Sequence, residues 1–333
     1  MQSKKTSRRS WLGGTSALLC GMALGLPMGS AVAQEWPSTK PIRLVVNFAP
    51  GGAADVLARA VAPTLSEHLG QTVVIENKPG AGGNIGVSEV VRSAKDGYTL
   101  LLSSGGAVSI NPMIYSKLGF DPAKDLTPVS AVARIHLYLE THPSVPAKNI
   151  QEFIAYLKAN PGKLSYGSPG AGSSPHLAGE MFNRMAQVDS VHIPYKGAAP
   201  ALNDVLGGQL QFWFDSGTGL KHVEAGKLNL LAVGGSKRSA QYPNLPTLAE
   251  SGLPGFDADT LFGIYAPSGV PDQVVRRVSE GVQKAIAKPD VIKTIETLGA
   301  TPEPMARDAF IKHHDVERQR FGGLIKSIGL KVD

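Results

Sequence analysis

Residues 42–61 constrain the fold of this chain more than any other segment. Ile42-Arg43-Leu44-Val45-Val46-Asn47-Phe48 is a largely apolar, β-branched run, and Ala49-Pro50-Gly51-Gly52 is a turn. From Asp55 onward Val56, Leu57, Ala60, Val61 and Leu65 recur at helical spacing. The unit reads as a buried strand, a glycine turn and the start of a helix. Gly51 and Gly52 lack a Cβ, so the turn can take φ > 0 and let a ligand approach the backbone. Free amides at the helix start and the positive end of its dipole point into the same space, the construction of an anion site. The same turn serves equally as a tight connection with nothing bound.

Strand-like and helix-like segments alternate through most of the remaining chain. The pattern predicts strands at 42–48, 72–76 and 98–103, with helices at 55–69, closed by Gly70, and at 85–94. Pro-rich turns follow at Asp121-Pro122 and Thr127-Pro128. A second set comprises a helix at 150–159, with Asn149 as N-cap and Gly162 as stop, then a strand at 164–166 and a helix at 176–185. A strand at 190–193, a helix at 199–206 and strands at 210–214 and 228–233 complete it. A strand at 261–266 then leads to three helices, 272–287, 290–298 and 307–328, separated by Pro289 and Thr301-Pro302-Glu303-Pro304. The last helix mixes charges freely, which predicts a solvated face.

Such alternation implies an α/β fold with parallel sheets. The chain is long enough to favour two domains. Crossings near residues 128–135 and 257–266 would make a hinge, with a cleft between the lobes where a small ligand binds. The expected division is residues 34–130 plus 262–333 in lobe 1 and 131–261 in lobe 2.

The N-terminus bears on compartment. Lys4, Lys5, Arg8 and Arg9 precede a weakly apolar segment, Trp11 to Met28, and then Ala31-Val32-Ala33, a small-x-small cleavage site before Gln34. Gly13, Gly14, Gly21, Gly25 and Pro27 make that segment a poor permanent membrane helix. Residues 1–33 therefore read as a removable signal peptide, and the expected location is the periplasm. Ser7-Arg8-Arg9-Ser10-Trp11-Leu12 also resembles a twin-arginine signal, and an ordinary secretory leader with a chance Arg pair is the other reading. The single cysteine, Cys20, lies in this leader, and Leu19 stands where a lipoprotein signal wants a small residue. A mature chain without cysteine excludes disulfides, thiol catalysis and thiolate metal sites. The leader holds four of the 33 basic residues and none of the 27 acidic ones, so the mature charge is only slightly positive. With no Lys/Arg stripe interleaved with aromatics, nucleic acid is not an expected partner.

A second candidate anion cradle, for which a merely capped turn is the other reading, is written at Leu164-Ser165-Tyr166-Gly167-Ser168-Pro169-Gly170-Ala171-Gly172-Ser173-Ser174-Pro175-His176. It repeats the first unit's logic of strand, Gly/Ser loop and helix start. Ser173 or Ser174 can cap the helix and Pro175 suits its first turn. In open α/β sheets, ligands sit beyond the carboxyl ends of the strands, where both loops lie. Ser103 and Ser104 end another strand and can line the same cleft. Tyr195-Lys196-Gly197 follows a strand, and Lys196 is either a cation for an anionic ligand or an ordinary solvated lysine. Asp215, at a strand end, either binds a ligand amine or hydroxyl or caps the next helix. Gly80-Ala81-Gly82-Gly83-Asn84-Ile85-Gly86 imitates a dinucleotide fingerprint, but it follows the second strand and lacks the later acidic residue; close helix–strand packing is the stronger reading. No G-x-S-x-G, H-E-x-x-H or P-loop is present, His176 and His192 read as hydrogen-bonding groups, and no metal or cofactor is expected.

Several segments together carry a resemblance. They are Lys40-Pro41-Ile42-Arg43, Phe48-Ala49-Pro50-Gly51-Gly52, Asn77-Lys78-Pro79-Gly80-Ala81-Gly82-Gly83-Asn84-Ile85-Gly86 and Asp96-Gly97-Tyr98-Thr99-Leu100. Ser168-Pro169-Gly170-Ala171-Gly172-Ser173, Tyr195-Lys196-Gly197 and Leu245-Pro246-Thr247-Leu248-Ala249-Glu250 continue the series. In this order they resemble the Bug family, the periplasmic substrate-binding components of tripartite tricarboxylate transporters. The resemblance implies a two-lobed Venus-flytrap fold of the type II-like periplasmic-binding-protein kind. It implies a monomer without catalytic activity, a small carboxylate ligand, and the transporter's membrane components as partners.

Carried over by motif, the ligand-binding positions are Phe48, Gly51, Gly52, Ala53 and Asp55 in one lobe. In the other they are Ser168, Gly170, Ser173 and Ser174, with Tyr195 and Asp215 as further candidates. Asn47 departs from the family, which usually has Pro before this Phe. Family ligands range from citrate-like acids and dicarboxylates to acidic amino acids and aromatic acids, and Phe48, Tyr195, Trp213 and Phe262 are rings that would stack on the last, with a core role the simpler one for Trp213. The competing readings are an exported nucleotide-dependent oxidoreductase, using Gly80–Gly86, and a binding protein that serves a sensor.

Overall fold

In the computed structural model, residues 36–38 and 40–332 are described, and the expected signal peptide with its cleavage site lies outside them. The first unit folds as its residues dictate. Strand β1 (Ile42–Val46) is buried on both faces, as a central parallel strand must be. Its neighbours are β2 (Val73–Asn77) and β3 (Thr99–Ser104), both parallel to it. The helix Ala53–Leu69 buries Leu57, Ala58, Val61, Leu65 and Leu69 against this sheet, and Gly70 closes it in the left-handed conformation at φ 69°.

Beyond these come β4 (Leu126–Ile135), β5 (Tyr138–Thr141), β6 (Ser165–Ser168) and β7 (Val191–Pro194). They are followed by β8 (Phe212–Asp215), β9 (Asn229–Val233), β10 (Thr260–Pro267) and the two-residue β11 (Thr301–Pro302). Two sheets result. One has six strands in the order β11-β4-β10-β3-β1-β2, the other five in the order β7-β6-β8-β5-β9. The chain leaves the first sheet after Ile135, enters the second at Tyr138, and returns at Thr260.

The sheets are mixed, which corrects the expectation of parallel ones. β10 runs antiparallel to β3 and β4, and β5 runs antiparallel to β8 and β9. The strands at fault are those next to the crossings, which arrive from the other sheet rather than through a βα unit. The Thr127-Pro128 turn is also corrected: both residues lie within β4. Proline is tolerated there because β11 pairs with β4 only at Arg134 and Ala133, which leaves the outer edge at Pro128 without a strand partner.

The C-terminal helices form at Asp272–Ile286, Pro289–Glu296 and Arg307–Ile328. The last is not merely a solvated face. Phe310, His314, Glu317, Phe321 and Ile325 make a buried stripe along it. His314 bridges Ser109 Oγ (3.0 Å) and the Tyr265 hydroxyl (2.9 Å). No helix among the described residues is long and apolar enough to cross a membrane.

Candidate functional site

Two strand-to-helix loops face each other across a cleft, and they are built differently. In the first, Gly51 adopts φ 80°, a left-handed conformation that an L side chain resists. Gly52 is the N-cap of the Ala53–Leu69 helix and supplies no side-chain cap. The amides of Asp55 and Val56 bond to the Gly52 carbonyl at 3.0 and 3.1 Å. The preceding amides, of Ala53 and Ala54, sit in the first turn, where a helix offers no internal acceptor.

Asp55 holds this loop in shape. Its carboxylate accepts from the Gly51 amide (3.0 Å), from Arg59 through two nitrogens (3.0 Å each) and from Asn77 Nδ2 (3.0 Å). Asn77 Nδ2 also donates to the Phe48 carbonyl at 3.0 Å. Burial pushes the Asp55 pKa up, but Arg59, Gly51 and Asn77 outweigh it and hold the carboxyl below the usual carboxylate value. Asp55 thus has its acceptor capacity filled by the loop, the helix and the end of β2.

The second loop spends its polar groups on itself. The Ser168 hydroxyl lies 2.7 Å from His192 Nε2 and 3.0 Å from the Gly170 carbonyl, and it accepts the Gly170 amide at 3.2 Å. Ser173 caps the Ser174–Ala186 helix by accepting from the His176 amide (3.4 Å), and its own hydroxyl donates to the Gly170 carbonyl (2.7 Å). His176 Nδ1 accepts the Gly172 amide at 3.1 Å, and the His176 and His192 rings stack with centroids 4.0 Å apart. Burial lowers His176 to about 4, and burial together with the neighbouring His176 lowers His192 to about 3. Both imidazoles are therefore neutral at pH 7 and act as hydrogen-bonding groups.

Contacts across the cleft are close. Ser174 Oγ donates to Thr260 Oγ1 of β10 at 3.1 Å, and the Tyr115 hydroxyl donates to the Ala171 carbonyl at 2.8 Å. A Cβ on Gly82 would overlap that same Ala171 oxygen. The remaining glycines of this segment are equally crowded: a Cβ on Gly86 would lie 2.6 Å from Asn47 Cβ. Asn47, the departure from the family pattern, is buried and donates through Nδ2 to Ser103 Oγ (3.0 Å) and the Gly83 carbonyl (3.3 Å). Tight packing of this kind is what the Gly80–Gly86 loop does here.

Between the loops lies a narrow cavity of about 30 Å³. Of the residues expected from sequence, Phe48, Gly52, Ala53, Ser104, Ser173 and Ser174 line it. Gly51, Asp55, Ser103, Ser168, Gly170, Tyr195 and Asp215 do not, and their partners say what they do instead. Ser103 Oγ accepts from Asn47 and donates to the Ser104 carbonyl. The Tyr195 hydroxyl donates to Asp204. Asp215 accepts from Thr218 N (3.0 Å), Thr218 Oγ1 (2.9 Å) and Gly219 N (2.7 Å), which shapes the loop that carries Ser216.

Sequence reasoning missed Ala54, Pro169, Pro175, Ala198, Ser216 and Thr260 in the lining. For Ser216 and Thr260 the available signals were position: one follows Asp215, the other lies in the return crossing. Phe262, raised as a ring for stacking, does line the cavity, whereas Trp213 is core and donates through Nε1 to Glu140 at 2.8 Å. Ser104 is 2% exposed and its hydroxyl has no partner. No Lys, Arg, His, Asp or Glu side chain is in the lining.

This architecture is shared by proteins of known structure. The periplasmic binding protein BugD superposes with a TM-score of 0.84 at 35% identity, covering 88% of this chain and 99% of that one. An R. palustris protein solved with adipate gives 0.85 at 35% identity, covering 89% and 99%. MatC from Rhodopseudomonas palustris, solved with malate, gives 0.82 at 30% identity, covering 86% and 99%. The family model for the tripartite tricarboxylate transporter family receptor, TctC, matches residues 57–330. The chain therefore belongs to the TctC family of tripartite tricarboxylate transporter receptors.

Proposed function

We propose that this chain is a periplasmic solute-binding protein, without catalytic activity, that takes a small carboxylate-containing ligand between two lobes for delivery to the membrane components of a tripartite tricarboxylate transporter. The single observation that carries the reading is the uncapped start of the Ala53–Leu69 helix facing the hydroxyl-rich start of the Ser174–Ala186 helix across one cavity. Free amides and two dipole ends suit an anion. The two neighbours solved with adipate and malate make a carboxylate the anion of choice. We place the lobe boundaries at His136–Leu137, between β4 and β5, and between β9 and β10, where the chain changes sheets.

The energetics are sufficient. Micromolar affinity requires about 8 kcal/mol. Four or five charge-assisted hydrogen bonds contribute roughly 1.5–3 kcal/mol each, less the cost of immobilising the ligand and closing the lobes. No buried arginine is needed.

A thermal-shift screen of the processed protein against mono-, di- and tricarboxylates tests the reading. A true ligand at a hundred times its Kd stabilises the folded state by about 2.7 kcal/mol, a rise of several degrees in Tm. A screen in which no carboxylate raises Tm above the buffer control contradicts the proposal.

A further inference from the structure

We propose that Glu140 is a positioning residue of the cleft, a neutral carboxylic acid that donates its proton to Asp215 and so fixes the loop that brings Ser216 to the cavity wall. The carboxylate-binding reading supplies only what Ser216 faces, and the buried pair stands without it. β5 and β8 run antiparallel with Glu140 opposite Trp213 and Tyr138 opposite Asp215, so all four side chains share one face of the sheet. Glu140 and Asp215 are fully buried and hydrogen-bonded to each other. Two ionised carboxylates do not persist in contact there, because each has lost its hydration and repels the other. Among the described residues, no lysine, arginine or histidine pairs with either carboxyl. The other titratable groups facing them are the phenols of Tyr138 and Tyr242, beyond which stand Asp259 and Glu224.

The remaining partners say which carboxyl keeps the proton. Asp215 accepts from the Thr218 amide, the Thr218 hydroxyl and the Gly219 amide, all of which favour its ionised form. Glu140 accepts only the Trp213 indole, through Oε2, and no donor reaches its Oε1. A buried carboxyl oxygen whose neighbour is another carboxylate is satisfied by carrying the proton itself. Burial first, then the Asp215 charge, raises Glu140 well above its usual value; burial raises Asp215 too, against the pull of Gly219 and Thr218. One proton therefore belongs to the pair and resides on Glu140. The loop is built onto this pair. Gly219 packs so closely on Glu140 that a Cβ there would overlap Oε2, and one on Gly217, at φ 95°, would overlap the Leu298 carbonyl. Ser216 is held between these anchors.

Three measurements on the processed protein test the assignment without any ligand. Infrared difference spectra at pH 7, wild type minus Glu140→Gln, should contain the C=O stretch of a protonated carboxylic acid. Its absence overturns the proposal. The amides of Thr218 and Gly219 should exchange at least ten times faster in Glu140→Leu than in the wild type. Glu140→Gln, which keeps a neutral donor in place, should stay within about twofold of the wild type. Wild-type exchange in Glu140→Leu, or equal acceleration in both variants, removes the positioning role. The folded state holds the proton more tightly than the unfolded chain, so its contribution is complete below about pH 4.3 and lost as pH rises toward the folded value. The unfolding constant of the wild type, relative to Glu140→Gln, should thus rise by about tenfold per pH unit between pH 5 and 7. A ratio that does not change with pH overturns the proposal even if Glu140→Leu fails to fold.

Discussion

The two loops that face the cavity share one grammar, strand, glycine-rich turn and helix start, yet they work in opposite ways. The first leaves its helix amides open and braces the turn from behind with the ionised Asp55. The second closes its helix start with Ser173 and ties its hydroxyls to its own backbone and to two neutral imidazoles. Similar sequence therefore does not mean similar supply of donors. A glycine cap exposes amides to a ligand, whereas a serine cap occupies them.

Separating the loops should have the largest effect. Gly82 has φ 61° and a Cβ there would overlap the Ala171 carbonyl, so Gly82→Ala should force the second loop away from the Gly80–Gly86 loop, which follows β2 beside the first loop's strand β1. We expect ligand affinity to fall by about a hundredfold or more, with far-UV circular dichroism unchanged, because one misplaced backbone contact removes several donors at once. Retained affinity would show that the loops need not meet.

Damage confined to the first loop should come next. Gly51 has φ 80° and open space around it, so Gly51→Val meets no clash but strains a β-branched residue in the left-handed region. That strain is of order 1–3 kcal/mol, and calorimetry should show an affinity loss of about tenfold or more with an intact melting transition. Equal affinity would place the first loop's conformation outside the binding energetics.

Damage to the second loop should be smaller. Ser173→Ala removes a cap worth about 1 kcal/mol, lowering stability by that amount and affinity by about fivefold. An affinity loss exceeding that of Gly51→Val would reverse the comparison between the loops.

Acid should distinguish the loops with the most modest signal. His176 and His192, lowered by burial to about 4 and about 3, resist protonation in the folded state. The unfolded chain binds those protons first, so their contribution is complete above about pH 6.5 and is lost as pH falls toward 4. Asp55 is held below the ordinary carboxylate value, so its contribution is complete above about pH 4 and disappears only as pH falls through the lowered value. Hydrogen exchange, corrected for intrinsic rates, should show the second loop losing protection between pH 6.5 and 4.5 while the first keeps its own. Parallel profiles would contradict this assignment.

Much of this fold is legible from local chemistry. Ile42–Val46, the Ala53–Leu69 helix, the Gly70 stop and the Asn149 and Ser173 caps depend on neighbours within a few residues. β5 was not legible, because it buries Glu140 in a four-residue strand. Burial and the neighbouring Asp215 drive that carboxyl well above its usual value, and the Trp213 indole that bonds it lies 73 residues away. Nor was the buried stripe of Arg307–Ile328, whose His314 is satisfied by Ser109, 205 residues distant.

The site divides along the same line. Sequence alone determined the two loop units, their glycines, the serine cap and the family resemblance, because each is a short stretch whose backbone demands are local. Only the tertiary structure decided which polar groups remain free. Ser168, Asp55, Asp215 and Tyr195 turn to internal partners, while Ser104 is left unpaired at the cavity wall beside Ser216, Thr260 and Phe262. A hydrogen-bonding side chain reports its chemistry from its type, but whether it is available to a ligand depends on distant segments that compete for it.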